Sequence, residues 1–126
     1  MAALNLFVAG VMGLVSVALG AVGAHVLDPS DSDALRWLDT ALRYAGWHVA
    51  ALVALGLYIR TARLPDRWAG LASLALIIGL LLFSGSLYAM AFGAPRALSV
   101  VTPIGGVALM LGWLILMLWA VFGRRP

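Results

Sequence analysis

Four long apolar runs alternate with short polar connectors along the chain, and they cover about residues 4–24, 41–59, 68–92 and 102–122. An α-helix rises about 1.5 Å per residue, so each run is long enough to cross a hydrocarbon core of about 30 Å. The pattern predicts an all-α integral membrane protein. We expect an antiparallel four-helix bundle that forms a single transmembrane domain over residues 1–126.

The segment that leads into the second run has one apolar and one charged face. Its leucines recur on one side of a helix and its charged residues on another: Leu35, Leu38 and Leu42 against Arg36, Asp39 and Arg43. This pattern is typical of an amphipathic helix that lies at the membrane interface. We therefore expect a short interfacial helix between the first and second spans, started by a capping box formed by Ser30 and Asp33.

Arginine supplies all eight basic residues and lies mainly between the apolar runs. With four spans, both termini share a side with the second connector. That side carries Arg60, Arg63, Arg67, Arg124 and Arg125, whereas the other side carries Arg36, Arg43 and Arg96. Cytoplasmic loops are enriched in Lys and Arg, so we expect an inner (plasma) membrane protein with both termini in the cytoplasm. The basic residues set the topology under this reading, and no nucleic acid partner is expected.

The composition narrows the chemistry. Hydrophobic residues make up 64% of the chain and charged residues 10%, against about a quarter in soluble domains. The chain has no cysteine, which excludes disulfides, thiol catalysis and thiolate metal sites. Lysine and glutamate are also absent, which removes Schiff-base lysines and glutamate proton relays.

Glycines recur at helical spacing within the spans and predict close helix packing, because small residues let helices approach each other in lipid. The predicted packing positions are Gly13, Gly20, Gly23, Gly85, Gly105 and Gly112. Faces of small residues that line a passive pore in an oligomer are the alternative interpretation. Thr102 and Pro103 together predict the start of the fourth helix, with Thr102 as the N-cap.

The polar residues of the spans predict a cluster in the outer leaflet. Its candidate members are His25, Arg43, Tyr44, His48, Ser84, Ser86, Tyr88 and Thr102. An ionisable residue inside a membrane is a functional-site hypothesis by default. We expect His48 to share a helix face with Tyr44 and to find its partner in Ser84, Ser86, Tyr88 or the loop carbonyls near His25.

Several chemistries are weakly supported by these residues. His25 and His48 are the only histidines, and two isolated ligands fall short of a closed metal or haem site. Ser84 or Ser86 with His48 would form part of a nucleophile and base pair, but the third member is missing. We therefore assign no catalytic, cofactor or metal residues and expect no enzyme activity.

Four blocks of sequence together resemble a known family. They are Gly20 to His25, Trp37 to His48, Phe83 to Tyr88, and Thr102 to Gly106 followed by Gly112 and Trp113. In order and spacing they resemble the small bacterial membrane proteins grouped as domain of unknown function 423, which are similar to the eukaryotic transmembrane protein 256. The resemblance implies a four-helix inner-membrane protein and implies no reaction. The acidic connector from Asp28 to Asp39 departs from the pattern.

Two functions from different classes fit these residues. The first is a non-enzymatic accessory or interaction subunit, because the chain is nearly all membrane and has little soluble surface. Its partners would be the lipid bilayer and a larger membrane protein complex or a homo-oligomer. The second is a small-molecule or ion binding or permeation protein, with a site in the outer leaflet around His25, Arg43 and His48.

Overall fold

A computed structural model of the chain describes residues 1–62 and 67–123. Within these ranges the chain forms four long helices: α1 Ala2–Val26, α2 Ser32–Thr61, α3 Arg67–Ala91 and α4 Val101–Phe122, the last preceded by a 3₁₀ helix at Arg96–Val100. All four are long and apolar enough to cross a membrane. The predicted all-α, four-helix membrane fold is therefore confirmed.

The helices pack in chain order. α2 packs against α1 and α3, α3 packs against α4, and α1 touches α3 at few positions. In the described residues, neither α1 nor α2 approaches the backbone of α4. α3 is thus the central helix and contributes the leucines Leu76 and Leu80, which are fully buried in the core.

Glycines bring α3 and α4 into close contact. A Cβ atom built on Gly79 would lie 2.6 Å from the backbone nitrogen of Leu109, and one on Gly105 would collide with the backbone of Phe83. A Cβ on Gly112 would lie 2.5 Å from Leu76. Only glycine allows the two backbones this approach, so the interface depends on these positions. Gly79 was not among the predicted packing positions.

The other predicted packing glycines differ from one another. A Cβ on Gly23 would collide with Leu38 of α2, whereas Cβ atoms on Gly13 and Gly20 would make ordinary contacts at 3.9 Å and 3.5 Å. A Cβ on Gly85 would meet no atom within 4 Å. The predicted packing role of Gly85 is therefore wrong, since its face of α3 is open.

No separate interfacial helix lies between α1 and α2, because residues 32–61 form one continuous helix. Ala34, Leu38, Ala41 and Ala45 are all buried, so the apolar stripe runs unbroken from the first turn into the span. The short amphipathic helix predicted here is the beginning of α2. Residues 32–61 keep a helical periodicity and contain no proline, so the helix continues without a break.

The predicted helix starts also need correction. Asp31, not Ser30, is the N-cap of α2, and its side chain accepts the Ala34 N–H at 3.0 Å. α4 begins one residue before Thr102, and its N-cap is Val100, without a side-chain cap. The 3₁₀ helix already aligns the chain with α4, so the Thr102 hydroxyl is not needed as a cap and can form a hydrogen bond with another helix.

The polar turn at 63–66 and the arginines at 124 and 125 lie outside the described residues.

Candidate functional site

His48 is buried in α2 and both of its ring nitrogens are hydrogen-bonded. Its Nδ1 lies 2.6 Å from the carbonyl oxygen of Tyr44, one turn earlier in the helix. Its Nε2 lies 3.0 Å from the indole Nε1 of Trp113 in α4. A carbonyl only accepts and an indole N–H only donates. These partners therefore assign His48 as the neutral imidazole with its hydrogen on Nδ1.

The hydrogen bond between His48 and Trp113 joins two helices whose backbones do not meet. Aromatic rings extend the contact: Tyr44 stacks on His48 with ring centroids 6.2 Å apart, and Phe83 of α3 lies 4.7 Å from Tyr44. Trp113 was not among the expected partners of His48. The signal was nevertheless present, because an indole N–H inside an apolar span must find an acceptor.

His48 lies near the middle of the bundle, and not near the beginning of its helix as predicted. Gly13 is next to the midpoint of α1, and a Cβ atom built on it would lie 3.9 Å from Val49. Val49 directly follows His48 in α2. Gly79, the midpoint of α3, faces Leu109 of α4. The prediction placed His48 too close to a helix end because α2 starts at Ser32 and not near residue 41.

The remaining polar residues do not gather around His48. Ser84 donates to the carbonyl oxygen of Ala41 in α2 at 3.2 Å. The hydroxyls of Ser86 and Thr102 lie 2.7 Å apart and join α3 to α4. The structure therefore divides the predicted cluster: Arg43, Tyr44 and His48 line one cavity, whereas the serines and Thr102 form separate links between neighbouring helices.

Two further residues of the predicted cluster lie away from His48. The hydroxyl of Tyr88 in α3 lies 2.8 Å from that of Ser16 in α1. His25 is exposed in the last turn of α1 and lines neither cavity beside His48. Neither residue is a partner of His48.

A polar link near the start of α1 was not predicted from the sequence. Asn5 is fully buried, and its amide Nδ2 donates to Ser73 Oγ of α3 at 2.7 Å. Its Oδ1 has no hydrogen-bond partner among the described residues. Asn5 is the only asparagine of the chain and interrupts an otherwise apolar run, which was the signal available in the sequence.

A groove runs between α2 and α4 over the surface of α3. One cavity of about 420 Å³ is lined by Tyr44, His48, Phe83, Val107, Met110 and Trp113, among others. A second cavity of about 350 Å³ shares Tyr44, His48 and Trp113 with it and adds Arg43 and Trp47. We call the two together the α2–α4 groove. Aromatic and aliphatic side chains form most of its walls, and Arg43 lies at its rim.

Arg43 is held by a carboxylate on its own helix. Its guanidinium lies 2.6 Å from Asp39, and both side chains are 66% exposed. Arg43 precedes His48 by five residues and Asp39 by nine, so the Cα atoms lie about 7.5 Å and about 13.5 Å from the level of His48. With the level of His48 at the centre of a hydrocarbon core of about 15 Å half-thickness, Arg43 lies at about half of that distance and Asp39 lies near the edge of the core. A charged residue costs most at the centre of a span and less toward the interface, so Arg43 is the more costly of the two charges in contact with lipid.

A second group of charges lies at the end of the bundle. Asp33 accepts hydrogen bonds from Arg36 and from Arg96, each at 3.0 Å, and Arg96 lies 5.4 Å from the ring centroid of Trp37. In the connector before α2, Ser30 donates its backbone N–H and its hydroxyl to Asp28 Oδ1. These two hydrogen bonds, the backbone one first, lower the pKa of Asp28 below its usual 3.8. The contacts fix the connector and the start of α2.

This arrangement favours holding helices together over chemistry. His48 would have to release Trp113 before its Nε2 could bind a metal or take a proton. Ser84 and Ser86 each donate to a backbone carbonyl, so their hydroxyls are not poised as nucleophiles. In residues 1–62 and 67–123, no three His, Cys, Asp or Glu side chains lie close enough together to hold a metal ion.

Comparison with known proteins places the chain among membrane proteins. A family model described as "Protein of unknown function (DUF423)" matches residues 19–106. The Escherichia coli K12 protein named "UPF0382 inner membrane protein YgdD" is 38% identical over 121 residues, which are 95% of this chain and 91% of the relative. A Haemophilus influenzae protein named "UPF0382 membrane protein" is 43% identical over 105 residues, 82% of each chain. A Staphylococcus epidermidis protein of the same name is 38% identical over 106 residues, 83% of this chain and 84% of the relative. No solved structure matches the chain.

Proposed function

Because the chain belongs to the DUF423 family of membrane proteins, as its sequence blocks predicted, we propose that it works within the bilayer as a non-enzymatic accessory or interaction subunit. The observation that carries this proposal is the use of polar side chains as links between helices. The hydrogen bond of His48 with Trp113 connects α2 to α4, and that of Ser86 with Thr102 connects α3 to α4. Such links favour one fixed arrangement of helices and leave few groups for catalysis.

The outer surface supports the same proposal. Large apolar side chains project from α1 and α4, among them Leu14 at 73% and Met110 at 65% exposure. In a membrane these surfaces meet lipid or other membrane-spanning helices. A small, fixed bundle with broad apolar faces suits a subunit that binds larger membrane proteins. The proposal includes the predicted orientation, with both termini in the cytoplasm.

Isolation from the native membrane tests this function. We would tag the protein at its chromosomal locus, extract it in a mild detergent and identify co-purifying proteins by mass spectrometry. A stoichiometric partner is expected, and the same extraction of an unrelated four-helix membrane protein with the same tag is the control. Recovery of this chain without any other protein, both before and after chemical cross-linking, would contradict the proposal.

The α2–α4 groove favours a second candidate, the binding of a small amphipathic molecule. Its larger cavity of 420 Å³ falls within the range of about 300 to 1,000 Å³ that is typical of ligand pockets. Aromatic walls would hold an apolar body, and Arg43 at the rim would favour an acidic group. The site of this candidate is Arg43, Tyr44, His48 and Trp113, without the His25 of the original prediction.

Lipid analysis of the purified protein tests the second candidate. Mass spectrometry of solvent extracts should find one enriched amphiphile, and substitution of a groove residue by a larger one, Val107→Trp, should remove it. Val121→Trp on the exposed outer face of α4 is the matched control. Bulk lipid composition in both samples would argue against a specific ligand.

A further inference from the structure

The face of α2 that points away from the bundle carries an exposed, evenly spaced seam. Its successive residues are alternately four and three positions apart. This is the spacing of the positions that face the partner helix when two helices pack with a left-handed crossing. We call them the α2 seam: Asp39, Arg43, Gly46, Ala50, Val53 and Leu57. All six are exposed, so neither α1 nor α3 covers them.

The charges of the α2 seam are badly placed for contact with lipid. Measured along α2 from the level of His48, Arg43 lies about 7.5 Å away and Asp39 about 13.5 Å away, near the edge of a hydrocarbon core, and both side chains are 66% exposed. Ionisable residues inside membranes almost always face protein or a water-filled cavity. Trp47, beside the seam and next to His48, is 71% exposed at the middle of the span, although tryptophan favours the membrane interfaces. The three residues together indicate a face that is covered by protein.

The middle of the seam lets another helix come close. A Cβ atom built on Gly46 would meet no atom within 4 Å, and Ala50 follows one turn later on the same exposed face. Backbones approach closely at such positions in membranes. The seam therefore combines a charged segment near the outer end with a flat segment at mid-depth.

We propose that the α2 seam binds the same seam of a second copy of this chain, so that two α2 helices pack in parallel about a twofold axis. Two copies inserted with the same topology present parallel α2 helices. Asp39 and Arg43 occupy successive layers of the seam, so each Asp39 can pair with the Arg43 of the other copy. The twofold axis sets identical residues level with each other, so the opposite charges meet between adjacent layers, about 6 Å apart along the helix. Each copy then offers an acidic and a basic group to the other, the reciprocal contact that twofold symmetry generates. The inference goes beyond the proposed function, because it concerns a contact between two copies of this chain.

Cysteine cross-linking in native membranes tests the contact directly. The chain has no cysteine, so Ala50→Cys introduces a single thiol in the seam. Leu14→Cys on α1 and Met110→Cys on α4 are controls at similar depth, exposed on other faces. Oxidation with molecular iodine, which enters the bilayer, should give disulfide-linked dimers at Ala50→Cys at least fivefold above both controls. Equal yields at the three positions, or dimers mainly at a control, would overturn the proposal.

A charge-swap experiment separates contacts between copies from the pair within α2. Asp39→Arg and Arg43→Asp each give a seam with charges of one sign, so each variant alone should lose most of its self-association. Co-expressed with different tags, the two variants should capture each other at close to the wild-type level. The pair within α2 is broken in both chains, so this recovery requires pairing between copies. Failure of the mixed pair to recover would refute the role of Asp39 and Arg43.

The outcomes also distinguish this inference from the proposed function. A cross-link from Ala50→Cys to a different protein would overturn the second copy as occupant and leave the accessory role standing. A clean dimer that co-purifies with no other protein would support the seam and contradict the role in a larger complex. No cross-link to any protein at Ala50→Cys, with no recovery by the charge swap, would mean that the seam faces lipid and would overturn the inference.

Discussion

Replacing Trp113 by phenylalanine removes the N–H that His48 Nε2 accepts at 3.0 Å and retains an aromatic ring in the same place. His48 is 4% exposed, so its Nε2 would be left without a donor inside the membrane. His48→Leu produces the converse defect, an indole N–H without an acceptor. The double variant His48→Leu with Trp113→Phe has neither unpaired group.

The structure sets the expected size of these effects. A buried polar group that loses its partner costs about 1 to 3 kcal/mol, and hydrogen bonds between helices in membranes give about 1 to 2 kcal/mol in model peptides. Trp113 is 47% exposed, so the loss of its second ring removes only part of a packed surface. We expect each single variant to lose about 1 to 2 kcal/mol of unfolding free energy. The double variant should lose less than their sum by about 1 kcal/mol, because the two losses share one interaction.

Reversible unfolding in mixed micelles with increasing SDS, followed by circular dichroism, measures these free energies without relying on tryptophan fluorescence. His48→Gln is the matched control, since an amide oxygen can still accept from the indole, and it should remain close to the wild type. Additive losses in the double variant, within about 0.5 kcal/mol, would refute the coupling of His48 and Trp113. Equal tolerance of His48→Leu and His48→Gln would refute the structural role of His48.

Two other predictions follow from single contacts. Gly105→Ala places a Cβ atom against the backbone of Phe83, so it should lower the thermal midpoint in detergent and cost about 1 to 3 kcal/mol of unfolding free energy. Gly85→Ala fills open space and should change the midpoint little. Similar midpoints for the two variants would contradict the packing of α3 on α4. The pKa of Asp28 is lowered by Ser30, so the connector contacts should be complete above the usual value of 3.8 and should weaken as the pH falls through the lower, folded-state pKa. Carboxyl NMR titration checks this, and an Asp28 pKa at or above 3.8 would contradict it.

The helices could be predicted from the sequence because length and hydrophobicity are local properties. The apolar runs were long enough to span, and the observed helix ends differ from the predicted ones by a few residues at most, except at the start of α2. There the charged residues Arg36 and Asp39 suggested an interfacial segment. The buried stripe through Leu38 and Ala41 decided the structure instead, because it continues the face that packs on α1.

The partners within the bundle could not be predicted, because they depend on how each helix is shifted and rotated against its neighbours. Gly79 and Gly85 are six residues apart, which places them about 120° apart around α3. Gly79 faces α4 and Gly85 faces open space, a difference that composition does not reveal. In the same way, the partner of His48 depends on the register of α2 against α4. That register brings Trp113 to His48, and the register of α3 against α2 brings Ser84 to the carbonyl oxygen of Ala41.

The tautomer of the His48 ring tests whether this residue serves to join α2 to α4. Nitrogen NMR of histidine-labelled protein in lipid bilayers would report both ring nitrogens, and His25→Gln would leave His48 as the sole histidine. We expect a neutral ring with its hydrogen on Nδ1 and with Nε2 accepting a hydrogen bond that disappears in Trp113→Phe. A ring with its hydrogen on Nε2, a charged ring at neutral pH or a metal-bound nitrogen would contradict it.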